Sequence, residues 1–207
     1  MSTLTIEGLD QAGVDALMAI ATVRKFPRNA IIVNEGDQAH SVYFIVSGSV
    51  KVYLSDENGN EITVAVTRAN DFFGEMAIEE AYRSASIMAL EPLTLAIVRI
   101  EDFKDFLGGH PDFVFAMLTK LMRRTRVVTK NFKGMALLDV YGRLAALLNE
   151  LAVDHIIEAP PTQQDMANRI GCSREMVSKI LKDLSAGGYI ECSRRHIILK
   201  RALPAAW

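Results

Sequence analysis

The sequence has few cysteines and no long apolar run, and both shortages restrict what the protein can be. Its 207 residues include two cysteines, Cys172 and Cys192. They are too few and too far apart for a zinc or iron–sulfur ligand set or a disulfide framework. No run approaches the roughly 18 apolar residues of a membrane span, and the N-terminus lacks a basic-then-apolar signal. We therefore expect a cytoplasmic protein with reduced thiols, no bound metal and no membrane partner.

The chain also lacks a strong charge of either sign. It carries 23 Lys plus Arg against 25 Asp plus Glu, so its overall charge does not indicate a nucleic-acid binder. The charge is uneven, however, because residues 1–139 hold 14 basic and 18 acidic residues whereas residues 140–207 hold 9 and 7. No His and Asp cluster at metal-ligand spacing supports an enzyme such as a phosphodiesterase, and we expect no catalytic site.

The first half of the chain changes from a helical to a strand pattern. Apolar residues at helical spacing predict a helix from Asp10 to Val23. From Ala30 to Arg99, short runs rich in β-branched and aromatic residues alternate with turn signals such as "NEGD", "SGS" and "DENGN". About half a dozen short strands at this spacing favour an antiparallel barrel or roll over βαβ units.

A long helical pattern follows the strands. Pro111 suits a first helical turn, and no further breaker appears before Gly134. Seven positions at alternating spacings of four and three form a heptad seam, which predicts a helix that pairs with a second copy through residues 111–136. Packing of the seam on its own domain is the alternative. The seam consists of Val114, Leu118, Leu121, Thr125, Val128, Phe132 and Met135.

The stretch "TQQDMANRIGCSREMVSKILKDL" has the pattern of a helix-turn-helix, and an apolar-faced helix from Asp139 to Asp154 precedes it. Ala167 allows two helices to approach, Gly171 allows the sharp turn, and Val177 with Ile180 fills the angle between the helices. Beyond the second helix, "GGYIECSRRHIILKR" predicts two strands joined by a basic turn.

The second helix of this motif has a polar face suited to reading DNA. The residues on it are of types that donate to guanine or accept from cytosine in the major groove, although a solvated charged face is the plain alternative. Basic residues in the turn between the strands suit phosphate contacts. Side chains at the helix starts complete the predicted DNA-binding set, which comprises Arg174, Glu175, Ser178 and Lys179 on the helix, Arg194 and Arg195 in the turn, and Thr162, Gln163 and Ser173 at the helix starts.

With these motifs assembled, the sequence resembles the cyclic-AMP receptor protein and FNR superfamily of bacterial transcription regulators over nearly its whole length. The strongest stretches are "VYFIVSGSVKVYL", "DFFGEMAIEEAYRSAS", "ALLDVYGRLAALL" and "IGCSREMVSKIL". The resemblance places Arg174, Glu175 and Lys179 at base-reading positions, with Lys179 where the cyclic-AMP receptor protein has Arg. Lys lacks the bidentate fork of Arg, which weakens discrimination at one guanine.

The resemblance also implies an effector site in Phe73–Ser86. Gly74 would supply a backbone N–H, Glu75 would accept from a ribose hydroxyl, and Arg83 with Ser84 would bind a cyclic phosphate. Two departures concern the effector: Gly74 and Arg83 are closer in sequence than in cyclic-nucleotide binders of the family, and the positions that contact adenine are Val128 and Thr129, of which only Thr129 carries a hydroxyl. Cyclic AMP is the expected effector, with cyclic GMP, cyclic di-GMP, another ligand or none left open.

These expectations define an α+β chain with no required cofactor. We expect an antiparallel β-roll effector domain at residues 1–110, a long dimerisation helix and hinge at 111–138, and a winged helix-turn-helix at 139–207. The expected function is homodimeric, sequence-specific transcription regulation on a palindromic operator, with RNA polymerase as a further partner. A sensor that acts only through protein contacts is the alternative.

Overall fold

The computed structural model describes residues 4–79, 81–193 and 195–204. The chain forms two compact units, made of the described residues of Met1–Leu54 with Thr63–Arg126 and of Ser55–Ile62 with Val127–Trp207. The helices are α1 (Gln11–Ile20), α2 (Ile100–Gly109), α3 (Pro111–Leu137), α4 (Val140–Leu151), α5 (Gln163–Ile170) and α6 (Arg174–Ala186). The strands are β1 (Thr22–Phe26), β2 (Ile31–Val33), β3 (Ser41–Ser47), β4 (Ser49–Ser55), β5 (Glu61–Arg68), β6 (Phe72–Phe73), β7 (Ser86–Ala89), β8 (Leu93–Arg99), β9 (Ile156–Glu158), β10 (Ile190–Cys192) and β11 (His196–Leu199).

Two four-stranded sheets dominate the N-terminal part of the chain. Their strand orders are β1-β8-β3-β6 and β2-β7-β4-β5, and neighbouring strands run antiparallel in the pairings β1–β8, β3–β8 and β4–β7. Phe44, Phe103 and Phe113 are fully buried and contact one another edge-on or tilted, which packs α2 and the start of α3 on the first sheet. The predicted antiparallel roll is therefore confirmed.

The first helix is shorter than the sequence predicted. Asp10 caps α1 by accepting a hydrogen bond from the backbone N–H of Gly13 at 2.8 Å, but the helix ends at Ile20. Val23 lies instead in β1, where it pairs with Ala96 of β8. Val23 is 50% exposed, whereas Val14 and Leu17 of α1 are buried, so the apolar spacing marked a buried helical face within α1 but the helix does not extend to Val23.

The long helix α3 begins at Pro111, as predicted, and continues past Gly134. Among its seam residues, Leu121 packs against the core of the first unit, as the alternative to pairing anticipated. Others face outward: Leu118 is 49% exposed and Phe132 is 72% exposed. The seam therefore combines an intradomain contact with a largely uncovered apolar face.

The second unit contains the predicted helix-turn-helix. Helices α4, α5 and α6 pack on the antiparallel sheet β10-β11-β9 around a core that includes Leu144, Leu148 and Leu184. Helix α4 ends at Leu151 rather than at Asp154 because the chain turns back through Asp154 and His155, both of which have positive φ. In the described part of the chain, no helix is both long and apolar enough to cross a membrane.

Candidate DNA interface and effector site

Local hydrogen bonds fix the start of the helix-turn-helix and the angle of its turn. The hydroxyl of Thr162 accepts from the backbone N–H of Asp165 at 3.1 Å, and the Asp165 carboxylate accepts from the backbone N–H of Thr162 at 3.3 Å. Gly171 ends α5 in the left-handed conformation at φ 66°. Ala167 and Val177 are fully buried between the helices, so the geometry follows from the residue types the sequence supplies.

Helix α6 presents the predicted polar face to solvent. Ser173 caps the helix by accepting from the backbone N–H of Met176 at 3.3 Å, which sets where the first helical turn begins. Arg174, Glu175 and Lys179 are exposed and Ser178 is half-buried, on the side opposite the buried residues Val177, Ile180, Leu181 and Leu184. The first turns of α6 thus combine hydrogen-bond donors and one acceptor on a single surface.

One residue on this surface was missed by sequence reasoning. Lys182 is exposed and, with Arg174, Glu175, Ser178 and Lys179, borders a surface depression of about 380 Å³. Its signal in the sequence was its helical spacing, four residues after Ser178 and three after Lys179. The surface therefore carries three cations and one carboxylate, a balance that favours a polyanionic partner.

Three of the remaining predicted DNA-binding residues are described: Thr162 and Gln163 lie at the start of α5, and Arg195 lies in the turn between β10 and β11. Thr162 is exposed and Gln163 is half-buried at the start of α5. Arg195 is exposed in the turn between β10 and β11, where its backbone N–H donates to the Ser193 hydroxyl at 3.2 Å. Arg194 lies outside the described residues.

In the first unit, the chain brings Gly74 and Arg83 together. Gly74 has φ 81° and precedes a single 3₁₀ turn, Glu75–Ile78. The Arg83 guanidinium is buried, with Nη2 donating to the carbonyl of Ser41 at 2.9 Å and Nη1 to that of Gly74 at 3.4 Å. Its Nε–H has no hydrogen-bond acceptor among the residues the structure describes, so one donor of a buried cation is unused.

Ser84 and Glu75 lie in the same loop region but in different surroundings. Ser84 is exposed, and its hydroxyl lies 3.2 Å from the sulfur of Met76. The Glu75 side chain is only 12% exposed, and its carboxylate accepts from Nη1 of Arg124 at 3.1 Å. A ribose hydroxyl at Glu75 would therefore meet a carboxylate already held by an arginine.

Arg124 belongs to a cluster that the sequence did not reveal. Its Nη2 donates to the Asp71 carboxylate at 2.7 Å and to the Phe72 carbonyl at 2.6 Å, and Nζ of Lys120 lies 2.8 Å from Asp71. Both cations also lie over the Phe72 ring, at 5.0 and 5.3 Å. The only sequence signal was their spacing of four residues on α3, since Asp71 lies 49 residues earlier than Lys120.

Val128 and Thr129, the two predicted base contacts, lie on the part of α3 that belongs to the second unit, and both are exposed. Across residues 4–79, 81–193 and 195–204, no group of three or more His, Cys, Asp or Glu side chains is arranged to hold a metal ion.

Comparisons with known proteins assign each region to a family. Residues 23–110 match the family model for the cyclic nucleotide-binding domain, and residues 142–203 match that for the Crp-like helix-turn-helix domain. The cAMP-activated global transcriptional regulator CRP of Pasteurella multocida is 31% identical over 86% of this chain and 89% of its own length. The cAMP-activated global transcriptional regulator Vfr of Pseudomonas aeruginosa is 27% identical over 90% and 92%.

Solved structures agree with this assignment at the level of fold. The c-di-GMP responsive global regulator CLP of Xanthomonas campestris superposes with a TM-score of 0.84 at 24% identity, covering 92% of this chain and 99% of that one. The catabolite activator protein of Thermus thermophilus has a TM-score of 0.57 at 26% identity, covering 94% and 92%. The sequence relatives are transcription regulators and not enzymes, and the chain belongs to the CRP/FNR superfamily of cyclic-nucleotide-binding-domain, helix-turn-helix transcription regulators.

Proposed function

We propose that the protein is a homodimeric regulator that binds a palindromic DNA operator and responds to a cyclic nucleotide, in the cytoplasm. The observation that carries the DNA part is the outward polar face of α6, with Arg174 and Glu175 at its capped N-terminus. In helix-turn-helix proteins this end of the recognition helix contacts base edges. Arg174 pairs with guanine O6 and N7, and Glu175 accepts from cytosine N4.

The homodimer is supported by the uncovered apolar face of α3. Phe115, Leu118, Met122 and Phe132 are between 49% and 72% exposed, more apolar surface than one helix normally leaves to water. A second copy of α3 is the proposed occupant, because the heptad spacing of the helix suits a parallel pair. Sedimentation of wild-type protein and of a Leu118→Glu variant tests this: the wild type sediments as a dimer and the variant as a monomer.

A dimer sets the geometry of the operator. Two recognition helices related by a twofold axis enter major grooves about 34 Å apart, so the half-sites are centred about one helical turn from each other. The basic turn with Arg195 contributes phosphate contacts, and Arg194 remains a predicted contact of the same kind. The DNA-bound dimer is proposed to contact RNA polymerase, as a transcription regulator that acts at promoters.

Cyclic AMP is the proposed effector, since the curated relatives CRP and Vfr are cAMP-activated. Support comes from Arg83, a buried cation with an unused Nε–H, beside Gly74 and near Glu75. Arg83 and Ser84 bind the cyclic phosphate, and Thr129 and Val128 remain predicted base contacts. The ligand must bind two states of the dimer with different affinity, because only that difference shifts the population toward the DNA-binding state.

DNA binding is tested with wild-type protein and labelled duplexes that carry the palindrome or a scrambled version, with and without cyclic AMP. We expect salt-sensitive binding that prefers the palindrome, and Glu175→Ala should relax the preference at one base pair. Absence of sequence-selective binding under every condition overturns the proposal and favours a sensor that acts through protein contacts.

The effector is tested by calorimetry with cyclic AMP, cyclic GMP and cyclic di-GMP. The last is included because CLP, which shares the fold, is described as c-di-GMP responsive. We expect heat from cyclic AMP and a loss of binding in Arg83→Ala. Equal binding by Arg83→Ala contradicts the assigned phosphate site, and binding of cyclic di-GMP alone contradicts the assigned effector.

A further inference from the structure

The recognition face of α6 is a shallow bowl rather than a flat surface. It is lined by Ser178, a short, half-buried side chain, and by the longer, exposed side chains of Arg174, Glu175, Lys179 and Lys182. A short residue on this face lets the helix approach the base edges closely. The longer side chains then differ in what they reach, because they stand at different heights along the helix.

Lys182 stands at the far end of this bowl. It lies eight residues beyond Arg174, which at 1.5 Å per residue is about 12 Å along the helix axis. The major groove is itself about 12 Å wide. Because the N-terminal residues of a recognition helix are those that contact base edges, Lys182 lies beyond the turns that read the bases, where a sugar–phosphate strand is the part of the DNA within its reach.

The surroundings of Lys182 also leave its charge available. The side chain is exposed on the same side of α6 as Arg174 and Ser178. Within the described residues, no ion pair involves Lys182, whereas Lys200 near the end of the chain is paired with Glu191. A lysine is a flexible point charge on a long stem, and it can reach a phosphate oxygen from this position.

We infer that Lys182 binds a DNA phosphate and adds affinity without reading sequence, which makes it functionally distinct from Lys179 one turn earlier. This inference rests on the proposed DNA-binding function. It divides the cations of one helix face into a base-reading pair, Arg174 and Lys179, and a phosphate-binding residue, Lys182. In a dimer, the operator complex contains two such phosphate contacts.

The test measures the operator affinity of wild type, Lys182→Gln and Lys182→Arg between about 50 and about 200 mM salt. When the logarithm of operator affinity is plotted against the logarithm of salt concentration, each lost phosphate contact makes the negative slope shallower by about 0.9. The Lys182→Gln dimer loses one contact per subunit, so its slope should be shallower than that of wild type by roughly 1.8. The affinity gap between wild type and this variant then narrows about tenfold over that salt range. Lys182→Arg keeps the charge and should keep the wild-type slope.

Sequence preference is the second measurement. On operators altered at single base pairs, the Lys182→Gln variant should bind every duplex more weakly than wild type by the same factor. The Lys179→Gln variant should lose most affinity on operators that carry a guanine at the contacted position. Lys104→Gln, the same charge change at an exposed position of α2, is the matched control and should change neither slope nor preference. Thermal unfolding of Lys182→Gln should match wild type, because the residue is exposed.

Failure of the Lys182 phosphate contact and failure of the proposed DNA-binding function give different results. Wild-type protein that shows no preference for the palindrome defeats the proposed function itself. Wild-type binding with an unchanged salt slope in Lys182→Gln defeats only the phosphate assignment. If Lys182→Gln has the wild-type salt slope but an altered base preference, Lys182 reads sequence, and this result also overturns the inference.

Discussion

The guanidinium of Arg124 binds the carboxylate of Glu75, with Nη1 3.1 Å from Oε1. These residues are 49 positions apart, one on the long helix α3 and the other in the loop that resembles a phosphate-binding cassette. The same guanidinium binds Asp71 at 2.7 Å. The orientation of Glu75, the proposed acceptor for a ribose hydroxyl, thus depends on a helix whose exposed face is proposed to form the dimer.

Replacement of Arg124 by Gln should weaken both the fold and effector binding. Two partly buried carboxylates, Glu75 and Asp71, would lose a charged donor, which should cost about 1–3 kcal/mol in the free energy of unfolding. Effector affinity should fall roughly 2- to 13-fold if half of that interaction orients Glu75. Urea unfolding and calorimetry measure the two effects. Arg126→Gln, at an exposed position of α3, is the control, and equal behaviour of both variants contradicts the role of Arg124.

Replacement of Gly74 by alanine should destabilise the protein for two separate reasons. Its φ of 81° disfavours any side chain, and a Cβ there would lie 2.8 Å from Nη1 of Arg83. Gly59 has φ 78° but nothing within 4 Å of its Cβ position. Gly59→Ala should therefore lower the unfolding free energy by about 1–2 kcal/mol, the backbone cost alone.

Gly74→Ala should cost more than that and should also weaken effector binding, because Arg83 must move. The difference between the two variants in thermal or urea unfolding measures the clash. If Gly74→Ala and Gly59→Ala are equally destabilised and bind effector like wild type, the close packing of Arg83 on Gly74 contributes neither to stability nor to effector binding.

The helix-turn-helix was predictable because its determinants are local. Gly171 forms the turn, Ser173 caps α6 and Val177 packs in the core of the motif. These residues lie close together in the sequence, so the pattern is visible in one short stretch. The cluster around Arg124 was not predictable, since Asp71 reaches it only after the roll has folded. Likewise the first helix was predicted to reach Val23, but the pairing of Val23 with Ala96 of β8 places it in a strand.

Ser173 allows folding and DNA binding to be separated. Its hydroxyl accepts from the backbone N–H of Met176, so Ser173→Ala should lower stability by about 1 kcal/mol. Ser173→Asp retains a capping oxygen and should unfold like wild type or slightly later, because a negative charge suits a helix N-terminus. The same charge repels DNA phosphate, so Ser173→Asp should bind the operator more weakly than Ser173→Ala. The reverse order of affinities contradicts the placement of this end in the groove.

Cys172, at the turn before α6, should react with alkylating agents at higher pH when the protein is folded than when it is unfolded. Burial raises the pKa of the Cys172 thiol, and burial likewise raises the pKa of Cys192. Because the folded state holds the Cys172 proton more tightly than the unfolded state, the contribution of the protonated thiol to folding stability is fully present below the unfolded pKa. This contribution is lost as pH rises through the folded pKa. In Cys192→Ser protein, the pH midpoint for iodoacetamide reaction should be higher when folded than in urea. An equal or lower midpoint contradicts the burial of this thiol.

Lys179→Arg should sharpen base discrimination. Lys179 presents a single charged amine on the recognition face, whereas Arg presents a planar fork that donates to both guanine O6 and N7. A good bidentate contact is worth about 1–3 kcal/mol of discrimination, roughly 5- to 150-fold between guanine and another base at that position. Competition between operators that differ at one base pair measures this ratio, and the salt slope should not change because the charge is conserved. A uniform gain on every operator instead places Lys179 at a phosphate, and unchanged affinity and selectivity place it outside the groove.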